Sequence, residues 1–378
     1  MIRYPMVDLL GQYQKIKPEI DAALQAVIES TSFINGPAVK AFQENLAKYL
    51  QVKHVIACGN GTDALQLALM ALDMKPGDEV ITTSFTFIAT AEVIALLKLT
   101  PVLVDVLPDT YNIDPEAIEK AITPKTKAII PVHLFGQAAD MQRLKAIAEK
   151  YQLFLIEDTA QALGADVYFP DNGKTKKVGT IGDIGCTSFF PSKNLGAFGD
   201  GGAIFTDNDV LGSKLQILAN HGMKVRYYHD YVGINSRLDS MQAAILNVKL
   251  KYLDEYASAR QKAAEFYNKA FAGCPQIITP VTARFTSHVF HQYTLVLKEA
   301  DREGLMKHLA ENGIASAVYY PVPLHLQKAY RDTRYNEGDF PVTEFLSKSV
   351  LSLPIHTELT DAMQQEIADA VLYFINNY

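Results

Sequence analysis

Three stretches of this chain combine residue types that could do chemistry. The first is Thr187-Ser188-Phe189-Phe190-Pro191-Ser192-Lys193-Asn194-Leu195-Gly196, followed by Gly199-Asp200-Gly201-Gly202. An apolar strand runs into a turn that holds one lysine among small residues. Glycines allow close packing around a ligand, and a lysine amine beside an aldehyde can condense with it. Most lysines occupy solvated faces, so Lys193 alone decides nothing. The second is Leu155-Ile156-Glu157-Asp158. In a parallel α/β sheet, ligands gather at the carboxyl ends of strands; an ordinary helix N-cap fits Asp158 equally well. The third is Cys58-Gly59-Asn60-Gly61-Thr62-Asp63-Ala64-Leu65. Free N–H groups and the dipole at a helix start suit a phosphate, with the Thr62 hydroxyl as a further donor. It is neither a Walker A loop nor GxGxxG, and a plain tight turn is an equal reading.

Other reactive side chains say less. Arg226 and Arg237 have the guanidinium shape that matches phosphate or carboxylate, and surface ion pairs explain them as well. His221 and His229 lack metal-ligand spacing to other His or Cys residues, so no metal is expected. The cysteines Cys58, Cys186 and Cys274 are odd in number and far apart. They are expected to be buried free thiols in a reducing compartment.

The elements that must position these residues follow from length and pattern. The 378 residues exceed one ordinary core, so a large and a small domain are expected. Hydrophobic residues make up 48% and charged ones 20%, as in soluble globular proteins. A net charge of -7 argues against a nucleic-acid surface but allows an anionic ligand at a locally basic or N–H-lined site. The N-terminus has no apolar signal-peptide region and no apolar run reaches membrane length, so the cytoplasm is expected. Helices are predicted over Lys15–Glu29 and Ala38–Leu50. Strands at Val52–Ala57, Glu79–Thr82, Pro101–Asp105, Ala128–Val132 and Leu153–Glu157 alternate with helices at Gly61–Leu72, Phe85–Leu97, Pro115–Ala121 and Met141–Tyr151. That alternation predicts an α/β fold, a mainly parallel sheet sandwiched by helices. Two more strands are predicted at Ile184–Phe190 and Gly202–Thr206. Gly173–Lys177 reads as a solvated loop or hairpin, with a substrate lid as the less favoured reading. Ser240–Ala272 reads as helical with a break near Tyr252. A smaller α+β domain follows, with strands at Ser287–Leu297 and Ala315–Tyr319 and helices at Asp301–Asn312 and Asp361–Asn376. The division expected is 1–250 and 251–378.

Taken in order, GNGTDALQLAL, DEVITTSFTFIATAEVI, VHLFGQAADM, LIEDTAQALGA, SFFPSKNLGAFGDGGAIFTD, VGINSRLDSMQAAIL and YYPVPLHLQKAY resemble fold-type I pyridoxal-phosphate (PLP) enzymes, specifically the DegT-type sugar-nucleotide aminotransferases. The resemblance covers essentially the whole chain. It implies that Lys193 holds PLP and then shuttles protons, while Asp158 pairs with the pyridine nitrogen and keeps the ring an electron sink. It implies that Gln161 contacts the ring hydroxyl and Phe87 stacks on the ring, a position a core aromatic could also fill. Gly61 and Thr62 would bind the phosphate with Ser188. Asn235 would reach the phosphate from a neighbouring subunit, which implies a homodimer with shared sites. Tyr319, Tyr320 and His325 would line the sugar-nucleotide site.

The implied activity is transamination in two half-reactions, with L-glutamate leaving as 2-oxoglutarate and the cofactor alternating between PLP and its amine form, PMP. Dehydratases of the same family carry histidine in place of the lysine, and Lys193 argues against that branch. SFFPSKNLGAFGDGGAIF with HGMKVRYYHDYVGINSRLD resembles enzymes that aminate the 3-keto position, for polysaccharide or lipopolysaccharide biosynthesis. Pro191-Ser192-Lys193 favours a UDP-linked 2-acetamido-3-keto uronic acid over a dTDP-linked 3-keto-6-deoxyhexose. A 4-keto sugar and a regulatory, non-catalytic sugar-nucleotide binder are the alternatives.

Overall fold

The computed structural model, which describes residues 2–170 and 173–377, opens with two helices set by their caps. α1 (Leu9–Ser30) starts six residues before the expected Lys15, because Asp8 caps it by accepting the Gly11 N–H at 2.8 Å. α2 (Pro37–Leu50) has proline at its first position, where no N–H is missed. The predicted alternation then appears as β1 (His54–Cys58), α3 (Gly61–Ala71), β2 (Glu79–Thr83), α4 (Ala89–Leu96), β3 (Thr100–Val104), α5 (Pro115–Ala121), β4 (Thr126–Ile130), α6 (Met141–Tyr151) and β5 (Phe154–Asp158). α4 begins four residues later than expected. Phe85 N–H is held by the Thr83 hydroxyl at 3.1 Å, and residues 84–88 turn across the strand ends instead.

β6 (Asp166–Phe169) and β7 (Lys174–Lys177) form an antiparallel hairpin, the solvated alternative expected for the lysine-rich stretch. β8 (Ile184–Ser188), β9 (Gly202–Thr206) and α7 (Asp209–Leu218) complete the large sheet, whose strand order is β1-β9-β8-β5-β4-β2-β3. β9 runs antiparallel to both β1 and β8, and the other pairs are parallel. β1, β2, β5 and β8 therefore all end at the same edge, and β9 begins there. That arrangement brings Cys58, Thr83, Asp158 and Ser188 together from four separated stretches of sequence.

After the short hairpin β10 (Met223–Val225) and β11 (Tyr228–His229), α8 (Ser240–Leu250) and α9 (Leu253–Ala270) meet at the break expected near Tyr252. The remainder builds a three-stranded antiparallel sheet from β12 (Ile277–Ile278), β13 (Tyr293–Leu297) and β14 (Val350–Leu353), with helices α10 (Arg302–Glu311), α11 (Pro341–Ser349) and α12 (Asp361–Asn377). Its core, around Tyr267, Tyr293, Leu305, Leu351 and Ile367, also takes in Tyr4, whose N–H bonds the Gly313 carbonyl at 2.9 Å. Two expectations fail here. Ala315–Tyr319 is not a strand; only Ala317 pairs, with Ser352. β13 starts at Tyr293 rather than Ser287, because residues 289–292 bind the loop at 135–136 instead: Val289 N–H to the Gly136 carbonyl at 2.8 Å and Gln292 N–H to the Phe135 carbonyl at 3.3 Å.

Cys58 and Cys186 are buried free thiols, and Cys274 is a half-buried one. Among the described residues, no helix is long and apolar enough to cross a membrane, and no group of three or more His, Cys, Asp or Glu side chains could hold a metal ion.

Candidate active site

The shared strand edge opens into a cavity of about 850 Å³ whose wall includes Gly61, Thr62, Phe87, Asp158, Gln161, Ser188, Lys193, Tyr319 and Tyr320. Five stretches of the chain contribute these nine predicted residues. Parallel-sheet topology alone explains the convergence of those at the ends of β1, β2, β5 and β8.

The glycine turn forms the floor on one side. Asn60 caps α3 by accepting the Asp63 N–H at 2.8 Å, and Ala64 N–H bonds the Asn60 carbonyl at 3.1 Å. The N–H groups of Gly61 and Thr62 are thus left over at the positive end of an 11-residue helix. A Cβ on Gly61 would stand 2.6 Å from the Ser188 Cβ, so only glycine brings this backbone against β8. The Ser188 hydroxyl oxygen accepts the Phe190 N–H at 3.2 Å, which keeps its own proton free to donate. Two spare N–H groups and a hydroxyl fit a phosphate.

Asp158 and its neighbour Glu157 point to opposite faces of β5 and live in opposite electrostatics. Glu157 is fully buried and accepts from the Gly179, Ile181 and Gly182 N–H groups at 2.7–2.8 Å and pairs with His133 at 3.0 Å. Burial alone would raise its carboxyl, but His133 and the N–H donors outweigh that and hold it below its ordinary value. Asp158 faces the cavity with two donors, the Thr90 hydroxyl at 2.9 Å and the Ala160 N–H at 3.1 Å. Burial wins there, and the Asp158 carboxyl is raised. A protonated ring nitrogen beside it would reverse that penalty, which is the fit expected for a pyridinium.

Lys193 sits in a turn closed by its own N–H bonding the Phe190 carbonyl at 2.8 Å. Gly196 is required three residues on, since a Cβ there would stand 2.1 Å from the Pro191 carbonyl oxygen. Burial pulls the Lys193 amine down to about 8, with the Asp158 carboxylate opposing. A neutral amine is the nucleophilic form. Lys249 is a second buried lysine, with its amine pulled down to about 7 by burial and by Arg260. It lies outside the cavity wall and donates to the Gly196 carbonyl at 2.5 Å, so it braces the Lys193 turn from behind.

The remaining predicted residues divide. The Gln161 amide is committed on both sides, accepting the Phe135 N–H at 2.8 Å and donating to the Tyr320 hydroxyl at 3.0 Å. Phe87 is exposed at the mouth, its ring 6.3 Å from that of Tyr320. Asn235 and Arg226 are solvent-facing and outside this chain's cavity wall, as is half-buried Arg237. Ser236, between Asn235 and Arg237, ties that segment to the glycine turn by accepting the Gly59 N–H at 2.9 Å and donating to Asp63 at 2.6 Å. His325 differs from expectation. It is buried away from the cavity, with Nδ1 2.8 Å from the Ser84 hydroxyl and Nε2 3.1 Å from the Glu344 carboxylate. Both ring nitrogens are used in joining the β2 end to α11, which leaves none for a substrate.

Sequence reading missed Thr90, Cys186, Phe190 and His291 on the cavity wall. Thr90 lies in the first turn of α4, three positions after Phe87 in a stretch that reads as helical from sequence, a spacing that could have found it. Cys186 stands opposite Asp158 in the β5–β8 register. His291 carries no local signal, because the loop around Phe135 places it.

The chain matches the model of the DegT/DnrJ/EryC1/StrS aminotransferase family over residues 14–372. It is 48% identical to a pleiotropic regulatory protein of Geobacillus stearothermophilus, over 99% of each chain. It is 45% identical to the UDP-2-acetamido-2-deoxy-3-oxo-D-glucuronate aminotransferase of Pseudomonas aeruginosa, over 97% of this chain and 98% of that one. The crystal structure of S. venezuelae DesV in complex with a ketimine intermediate superposes with a TM-score of 0.95 at 40% identity, covering 100% of both chains. Solved neighbours hold the cofactor in its PLP and PMP forms. With a cavity that offers an amine, a buried carboxylate and a phosphate cup to such a cofactor, the chain belongs to the DegT/DnrJ/EryC1/StrS family as a PLP-dependent sugar-nucleotide aminotransferase.

Proposed function

We propose that the enzyme moves the amino group of L-glutamate to the 3-position of a UDP-linked 2-acetamido-3-keto uronic acid, in the cytoplasm, for polysaccharide or lipopolysaccharide biosynthesis. The observation that carries this reading is the near full-length 45% identity to the P. aeruginosa enzyme of that substrate class, joined to the Pro191-Ser192-Lys193 triplet. The cofactor, when bound, supplies an aldehyde that takes up and returns an amino group and a ring that draws in electrons. Lys193 anchors it and then carries a proton to and from the substrate carbon. Asp158 keeps the ring nitrogen protonated. Gly61, Thr62 and Ser188 hold the phosphate, Phe87 and Gln161 orient the ring, and Tyr319 and Tyr320 face the sugar.

The working form is a homodimer with shared sites, and the chain divides into a large unit over 1–250 and a smaller one over 251–378. Charge supports the dimer. The charged residues on the cavity wall are Asp63, Asp158, Asp200 and Lys193. One lysine, itself engaged with the cofactor, cannot balance a cofactor phosphate, a diphosphate and a carboxylate. Arg226 on the exposed β10–β11 hairpin, with Asn235 and Arg237, supplies the missing partners to the neighbouring subunit.

Thr90 works through Asp158. Thr90→Val removes a hydrogen bond to a carboxylate, and kcat should fall about 10-fold with KM changed little, measured by steady-state kinetics. The substrate is tested by incubating the enzyme and L-glutamate with UDP- and dTDP-linked 3-keto sugars and a 4-keto sugar, and weighing the products. The UDP uronate should gain an amino group fastest; preferential turnover of a dTDP or 4-keto sugar would replace this reading. A protein that binds these nucleotides and turns over none of them would be the regulatory alternative, which the name of the 48% identical relative keeps in view.

A further inference from the structure

Behind the cavity wall, α9 carries a buried charge that no carboxylate among the described residues balances. Arg260 is 2% exposed. Its hydrogen bonds to the described residues all leave from Nη1, to the carbonyls of Ile355 at 2.8 Å, Phe290 at 3.1 Å and His291 at 3.4 Å. Those acceptors are neutral. Burial pulls the guanidinium down to about 10 with no carboxylate opposing, so it is still a cation at physiological pH. Lys249, a second buried cation, feels Arg260 and is likewise met by a carbonyl rather than a carboxylate. Buried charges are ordinarily paired, so this corner of the molecule is short of an anion.

Unused donors stand on the same side of α9. Arg260 Nε, the Tyr256 hydroxyl and His356 Nε2 are shut off from solvent, and none has a hydrogen-bond partner among the described residues. Tyr256 and Arg260 are four residues apart and share one face of the helix. His356 follows Ile355, whose carbonyl the Arg260 guanidinium holds. His356 Nδ1 accepts the Glu358 N–H at 3.2 Å, which puts the ring proton on Nε2. Burial and Arg260 hold that imidazole down to about 4, against Asp8 and Glu358, so the ring is neutral. Both acids are engaged elsewhere. Glu358 meets Lys15 at 2.6 Å and the Thr357 hydroxyl at 2.9 Å, and Asp8 caps α1. Arg260 Nε–H and His356 Nε2–H can only donate, and the Tyr256 O–H can donate as well.

We propose that this corner binds one small monovalent anion of the halide class, such as chloride, held by Arg260 Nε–H, His356 Nε2–H and the Tyr256 O–H. A water there would accept from the two obligate donors and then have two protons of its own, with only the Tyr256 oxygen to take one. It would also leave the guanidinium charge unanswered. A halide accepts from all three donors and brings the opposite charge. The bound ion ties α9 to the loop at 355–356. Through Arg260 Nη1 it also steadies the carbonyls at 290–291, beside Gln292 on the cavity wall. Tyr256, Arg260 and His356 are themselves outside that wall, so the site is separate from the one that takes cofactor and substrate.

Two measurements on the holoenzyme test this. Crystals grown in sodium bromide should show, at the bromine absorption edge, an anomalous peak in contact with Arg260 Nε, Tyr256 Oη and His356 Nε2. In solution, Tm should rise by about 2 °C for each tenfold increase in chloride above half-saturation. Sodium gluconate keeps the ionic strength constant, since its anion is too bulky for a buried site. His356→Leu removes one donor and leaves Arg260 in place, and it should flatten the rise. If that variant does not fold, Tyr256→Phe is read in the same way. A water without anomalous signal at the site overturns the proposal. So does a bromide peak with no chloride dependence of Tm, which is binding at crystal concentration only. A chloride dependence that survives undiminished in the folded variant overturns it too, because the ion then acts elsewhere.

Discussion

Lys193→Ala should leave a protein that folds, loses the visible absorbance of the bound cofactor, and transaminates at least about 10⁴-fold more slowly, the upper range for loss of a general base. Two roles go with one side chain, the covalent anchor and the proton carrier. The cavity prepares the amine for both. Its pull down to about 8 comes mainly from burial, so a useful fraction is neutral near physiological pH, whereas a lysine at its ordinary value would be nearly all ammonium. The sign of the pH effect follows: steps that need the free amine should quicken as pH rises through about 8 and level off above it, as read in single-turnover experiments. Lys249 should not substitute. Its amine is also pulled down, but it is spent on the Gly196 carbonyl behind the turn.

The second large effect is expected at Asp158. Asp158→Asn keeps the shape and can still meet the Thr90 hydroxyl and the Ala160 N–H, so stability should change little. What it removes is the negative charge aimed into the cavity, and with it the force that keeps a ring nitrogen protonated. A loss in kcat of about 10²–10³-fold is expected, the range for removing one preorganised electrostatic contact. Cofactor binding should weaken less than kcat falls, since the phosphate cup is untouched. Equal rates for Asp158→Asn and wild type would show that the carboxylate serves structure only. The adjacent Glu157 already fills that structural part, with three backbone N–H groups and His133 satisfying its carboxylate.

Much of this was legible from the sequence, and the pattern of misses is physical. Short apolar strands alternating with helices declare a parallel sheet, and a parallel sheet declares where its ligand sits; that made Asp158 and the Gly61 turn candidates, while the resemblance to known enzymes chose them over a helix cap and a plain turn and added Ser188. Lys193 drew its meaning from the glycine-rich turn around it and from the resemblance to known enzymes. Local pattern failed where tertiary contacts decide. Ala315–Tyr319 looks like a strand, yet it pairs at one residue and then turns to bring Tyr319 and Tyr320 to the cavity. The resemblance implied a substrate-side place for His325, but Ser84, 241 positions away, claims its ring. His291 sits in what reads as a continuous strand from Ser287. Only the docking of residues 289–292 against the Phe135 loop breaks that strand and leaves His291 on the cavity wall.

The central claim, that Lys193 carries the cofactor, is tested most directly by reducing the purified holoenzyme with borohydride, digesting it, and locating the added pyridoxyl phosphate by mass. One cofactor per chain, on the peptide that contains Lys193, is the predicted result. Cofactor on another lysine, Lys249 included, or a protein that transaminates with Lys193 unmodified, would contradict it.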